Sequence, residues 1–105
     1  MATIIVKLAS NKVMRDFYTQ QDVTKVDLIC AAHLEAGEYQ VLPAFESYGV
    51  EGEAGAEEAF CLTNNPSRQH EREKRYGTHR SVSVGDIVEV DGVNFLCDSF
   101  GWCEL

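Results

Sequence analysis

The sequence lacks any apolar run near the ~18–20 residues that a membrane-spanning helix requires, which excludes such a span. It also lacks a basic start followed by a long apolar stretch. Met1-Ala2-Thr3-Ile4-Ile5-Val6-Lys7 is too short and too mixed for a signal peptide, so a cytoplasmic location is expected. With 105 residues there is no room for two domains, and a single domain over 1–105 is expected. Tight Cys-x-x-Cys pairs are missing too. The closest of the four cysteines are Cys97 and Cys103, so neither zinc nor another metal is expected. In a reducing cytoplasm Cys30, Cys61, Cys97 and Cys103 should be buried free thiols, with disulfides or zinc as the alternatives. No cofactor is expected either. Gly49, Gly52 and Gly55 do not join a strand to a helix as phosphate-binding loops do, and they stand among glutamates, which repel phosphate. The calcium-loop spacing of carboxylates is absent as well.

Positive charge is missing from two long stretches. Residues 35–60 carry Glu35, Glu38, Glu46, Glu51, Glu53, Glu57 and Glu58 and no lysine or arginine. Residues 81–105 carry five carboxylates and again no base. The remaining segments are near neutral (1–34) or basic (61–80), and the total is −8. Such a chain is repelled by phosphate, so direct nucleic-acid binding is not expected. Its charge favours a protein with a basic or nucleic-acid-binding surface, and the seven glutamates are the candidate contact residues. Solubility alone is the other account of the acidity.

What is present reads as α+β. The expected fold is a small antiparallel sheet, strongly bent or partly barrel-like, with one or two short helices. Residues 3–8 are β-branched and apolar, which suits a strand. Met14, Phe17 and Tyr18 have helical spacing and predict a short helix within 10–22. Val26, Leu28, Cys30 and Ala32 alternate, favouring a hairpin over 25–45 with Tyr39 and Val41 on its second strand. The competing reading is a helix through 26–36, rich in Ala and Leu. A helix is expected over 54–64, stopped by Asn64-Asn65-Pro66 with a left-handed Asn cap, and Ser67 is expected to cap the next segment. Residues 68–76 are almost wholly polar, and Gly77 ends them. They suit a solvated helix, a loop or a partner-facing arm. Ser81-Val82-Ser83-Val84 alternates as a strand. Gly85-Asp86 interrupts it as a turn, with the aspartate accepting backbone N–H bonds. Ile87–Val90, a type I′ turn at Asp91-Gly92 and Val93–Cys97 form the clearest hairpin. Its register sets Val90 against Val93, Glu89 against Asn94 and Val88 against Phe95. That places Val88, Val90, Val93, Phe95 and Cys97 on one core face. Ser99 to Trp102 should turn, and 103–105 add a last short strand.

Nothing in the pattern signals catalysis. His33, His70 and His79 are dispersed. Cys97 and the adjacent Asp98 would point to opposite faces of a strand, and neither that pair nor Ser81 near His79 shows the His-plus-orienting-acid set that nucleophilic catalysis needs. A small enzyme is therefore the third-ranked class. Arg68, Arg72, Lys74, Arg75 and Arg80 form the sole basic cluster. Glu71 and Glu73 interleave with it, so it reads either as a nucleic-acid contact or as an internal partner for the acidic segment. Arg68, Arg72, Arg75, Arg80 and Trp102 are secondary candidate contacts. Trp102 is either a lid on the core or a contact anchor.

The stretch Ala59–Trp102, about 44 of 105 residues, carries a resemblance. Its phrases are Thr63-Asn64-Asn65, Arg80-Ser81-Val82-Ser83-Val84-Gly85-Asp86 and Phe100-Gly101. It resembles small proteins of bacteriophages and plasmids, and it is similar to the YodL-like module of large polyvalent proteins of mobile elements. The resemblance implies protection of incoming DNA by countering host defence, and it brings no catalytic residues. Together with the charge it leads to one expectation: a phage- or mobile-element-encoded acidic binding protein that inhibits a host defence or DNA-acting protein. The alternative is a non-catalytic accessory or structural domain.

Overall fold

The computed structural model describes residues 2–19, 26–76, 80–98 and 101–105. Strand β1 (Ala2–Ala9) buries Ala2, Ile4, Val6 and Leu8 on one side and turns Thr3, Ile5 and Lys7 to the other. Ser10 then starts helix α1 (Asn11–Thr19), its hydroxyl accepting the Val13 N–H at 3.4 Å. The helix expected on Met14, Phe17 and Tyr18 is present. Val13 is its buried residue, with Met14 and Phe17 packed beside it.

The hairpin expected over 25–45 is not formed. Helix α2 (Val26–Glu35) occupies its first half. The residues that pack inward are Val26, Cys30 and Leu34, each four apart, whereas Leu28 is 68% exposed. The two-residue alternation was incidental, and the helical stripe decided. The helix closes with Gly37 N–H donating to Leu34 O and Glu38 N–H to His33 O, a paired C-terminal cap. Strands β2 (Tyr39–Val41) and β3 (Phe45–Ser47) then pair with opposite ends of β1, not with residues 26–32. Leu42 N–H still reaches Val6 O, so the two are one edge strand broken at Pro43.

Helix α3 (Glu53–Asn64) buries Ala56, Ala59 and Leu62. Gly55 lies so close to Val90 that a Cβ there would sit 2.8 Å from Val90 Cγ1, so glycine sets the helix–sheet distance. The helix end departs from expectation: Asn65 has φ −84°, not a left-handed value. Asn65 rather than Ser67 caps the next turn, Pro66–Arg68, its Oδ1 accepting the Ser67 N–H. Helix α4 (Gln69–Tyr76) comes next, polar except for buried Tyr76. The expected Gly77 stop lies outside the described residues.

Residues 81–84 are not a strand. Val82 is buried, but its backbone is satisfied by the end of α3: Thr63 Oγ1 accepts its N–H and Asn64 Nδ2 donates to its carbonyl. Helix side chains have replaced a ladder partner. Strands β4 (Ile87–Val90) and β5 (Val93–Asp98) join through a turn with positive φ at Asp91 and Gly92, in the expected register. Strand β6 (Gly101–Glu104) pairs with β5. A turn was expected over Ser99 to Trp102, but Gly101 and Trp102 already belong to β6, paired with Asp98 and Cys97; Ser99 and Phe100 lie outside the described residues.

The architecture is α+β, with an open antiparallel sheet ordered β2-β1-β4-β5-β6 and β3 paired with β1 on the same edge as β2. The sheet is not closed into a barrel, and among the described residues four α-helices rather than one or two flank it. Helices α3 and α4 cover Ile4, Val6, Val88, Val90 and Phe95. Helices α1 and α2 cover Ala9, Ile87 and Leu96 on the other side. Both faces of the β4–β5 hairpin are therefore buried, where one core face was expected. Val93, assigned to that face, is 38% exposed beside the turn.

Candidate functional site

The most deeply buried charge is Asp86, fully excluded from solvent. It follows Gly85, whose φ of +97° and contact with Met14 leave no comfortable place for a side chain. The carboxylate accepts the Ala9 N–H at 2.7 Å, the Ser83 N–H at 2.8 Å and two bonds from the Arg80 guanidinium. Arg80 also donates to Ala9 O. Asp86 raises the Arg80 pKa above its ordinary value, against burial. The unit ties the 80–86 loop to the end of β1. It is a structural lock, and it assigns the phrase Arg80–Asp86 a role in architecture. Tyr39 closes one side, its hydroxyl donating to Gly85 O at 2.8 Å.

A second polar group lies at the end of α3. Arg72 Nη1 and Ser81 Oγ both donate to Thr63 O, and Arg72 also reaches Ser81. With Asn64, Asn65, Pro66 and Gln69 they line an open hollow of about 180 Å³. That is below the ~300 Å³ at which small-molecule sites begin, and its polar atoms already serve the backbone.

A third group escaped sequence reasoning. His33 on α2 sets Nε2 2.9 Å from Asp16 on α1 and Nδ1 against Glu38. Lys12 also bonds Glu38. The carboxylates flank opposite edges of the ring, so they bridge helices rather than converge on an ion. No cluster able to hold a metal occurs among the described residues. His33 thus faces carboxylates, not a thiol or hydroxyl. His70 is exposed, and His79 lies outside the described residues. None of the four cysteines forms a disulfide; Cys30 and Cys97 are buried as expected, Cys61 and Cys103 only half-buried, and burial pushes the Cys97 thiol up to about 11.

The seven candidate glutamates do not share one face. Glu35 and Glu38 lie on the α1/α2 side, at the end of α2 and in the turn after it. Glu46 pairs with Thr3 on that same side of the sheet, at its far end. Glu51, Glu53, Glu57 and Glu58 lie on or just before α3, across the sheet. Glu38 is bound by His33 and Lys12, and Glu58 by Arg68. Glu51, Glu53 and Glu57 are exposed and make no ion pair among the described residues.

Four arginines of the basic cluster are engaged by the fold, although Arg75 and Arg80 remain exposed, as does Lys74. Arg68 pairs with Glu71 and Glu58, which raise its pKa. Arg75 reaches Glu71 and stacks 4.8 Å above the Phe45 ring. Arg72 serves Thr63, and Arg80 serves Asp86. Among the described residues Arg68 alone forms an ion pair with the acidic segment 35–60, at Glu58, while Arg75 pairs with Glu71 and Arg80 with Asp86. Trp102 is half-buried: its indole N–H donates to Glu57 at 2.9 Å and its ring meets Phe60 edge-on.

Fold and surface together define a compact α+β domain with structural charge networks and an acidic exterior around α3. Comparison with family models, with curated proteins and with solved structures returned no match.

Proposed function

We propose that the chain is an acidic, non-catalytic binding domain that engages a basic, nucleic-acid-binding surface of another protein. One observation carries this reading. Four arginines of the basic cluster are held by internal acceptors, while Glu51, Glu53 and Glu57 stay exposed without an ion pair among the described residues, Glu57 accepting only the Trp102 indole N–H there. The outward charge is thus more one-sided than composition implies, and such surfaces steer association. The resemblance at Arg80–Asp86 supplies the setting: a phage or mobile element whose product acts in the host cytoplasm on a defence or DNA-acting protein, inhibiting it.

A second reading also has support. The glutamates lie on both sides of the sheet, as expected of a domain whose acidity serves solubility. Charge reversal separates the two. Host proteins retained by the wild-type chain at low salt should be lost at high salt and lost by E51K/E53K/E57K. Retention unchanged by both treatments would sink the binding proposal.

A further inference from the structure

The two edges of the sheet differ. The β2/β3 edge is broken at exposed Pro43 and turns away from pairing. The β6 edge has no proline and no lysine, and among the described residues β6 pairs with β5 alone. Leu105 N–H donates to Asn94 O, which fixes the alternation of the ladder. Cys103 and Gly101 therefore point their backbone groups inward to Leu96 and Asp98. Trp102 and Glu104 point theirs outward, with Cys103 Sγ 3.8 Å from the Glu104 carbonyl. On the α3 side of that edge stand carboxylates. Trp102 Nε1 binds Glu57, Glu104 shares the face of Trp102 two residues on, and Glu53 precedes Glu57 by one helical turn.

We infer that β6 is a docking edge for an extended basic segment of a partner protein, which adds as a strand beside Trp102 and Glu104. Its backbone pairs with their outward N–H and C=O groups, and alternate lysines or arginines meet Glu57 and Glu104. A second copy of this chain is a poor occupant, because antiparallel β6 pairing would bring both sets of carboxylates together. The inference rests on the acidic binding proposal and adds the geometry of contact.

The probe is a short synthetic peptide alternating lysine and threonine, titrated at low salt. Fluorescence of Trp102, the sole tryptophan, and amide exchange at Trp102 and Glu104 report binding. The expected result is saturable binding that protects both amides. N-methylation of every second peptide residue, on the edge facing β6, should weaken it about three- to tenfold. Glu104→Pro removes an outward N–H without touching a β5–β6 hydrogen bond and should weaken binding similarly beyond Glu104→Gln, which reports the charge alone. Absence of binding, or binding indifferent to N-methylation and to Glu104→Pro, overturns strand addition. Self-association through β6 with the peptide inert also overturns it. If host proteins are lost by E51K/E53K/E57K but kept by Glu104→Pro, strand addition fails alone. If neither variant loses them, the acidic binding proposal fails.

Discussion

Two of the charged networks in this chain differ in how much water reaches them. Asp86 is fully buried and grips Arg80, Ala9 and Ser83. His33, Asp16, Glu38 and Lys12 link α1, α2 and the turn before β2 with partly exposed side chains. The distances are alike, but the consequences are not. A buried carboxylate that loses its partners is stranded in low dielectric, whereas an exposed one is taken up by water. The first network decides whether the 80–86 loop joins the sheet, and the second trims the docking of a helical pair.

The contrast is broken most severely by Asp86→Ala. It orphans the Ala9 and Ser83 N–H groups and leaves Arg80, whose side chain is 40% exposed, without its counter-ion. The two orphaned N–H groups, at about 1–3 kcal/mol each, make the expected loss about 2–4 kcal/mol, read as a lower urea midpoint in Trp102 fluorescence. A loss under about 1 kcal/mol would make the buried network no different from the exposed one. Gly85→Ala comes next. It forces a side chain into positive φ and sets a Cβ 3.0 Å from Met14 Sδ. Because the thioether shifts easily, the expected cost is about 1–2 kcal/mol, measured the same way.

The same contrast explains what the sequence disclosed. The β4–β5 hairpin was legible to its register because alternation and the Asp-Gly turn agree locally. The turn role of Gly85-Asp86 was legible too. Helix α2 was legible only as the competing reading of 26–36, because Val26, Leu28, Cys30 and Ala32 alternate by chance while Val26, Cys30 and Leu34 do the packing. Residues 81–84 misled for another reason: Val82 bonds to Thr63 and Asn64, a partner about 18 residues away that no local pattern encodes. The His33 network joins three separated segments and leaves no periodic trace. The acidic residues were countable, but their division between two sides of the sheet follows from the fold.

Tyr76 sharpens the rule from the opposite direction. It is 5% exposed, and its hydroxyl has no hydrogen-bond partner among the described residues, while burial raises its pKa. Its ring meets Phe45 edge-on, a contact that phenylalanine retains. Removing an unsatisfied polar group should therefore stabilise the chain, by up to about 1 kcal/mol, in Tyr76→Phe. A clear loss of stability would mean that the hydroxyl is bound after all, most simply by water.

The smallest effect belongs to the exposed network and is read through pH. His33, then Lys12, hold the Glu38 carboxyl below its ordinary value of 4.5. Folding therefore favours the ionised form. Its contribution is complete above that ordinary value and fades as pH falls through the lower, folded-state value. Glu38→Gln removes the charge at every pH. Its urea midpoint should lie slightly below that of the wild type at pH 7, and the gap should close in acid, below about 4.5. The gap should also shrink at high salt, since Glu38 and Lys12 are open to solvent. A gap that persisted in acid would show the side chain acting through packing rather than charge, and the division between the two networks would then rest on Asp86 alone.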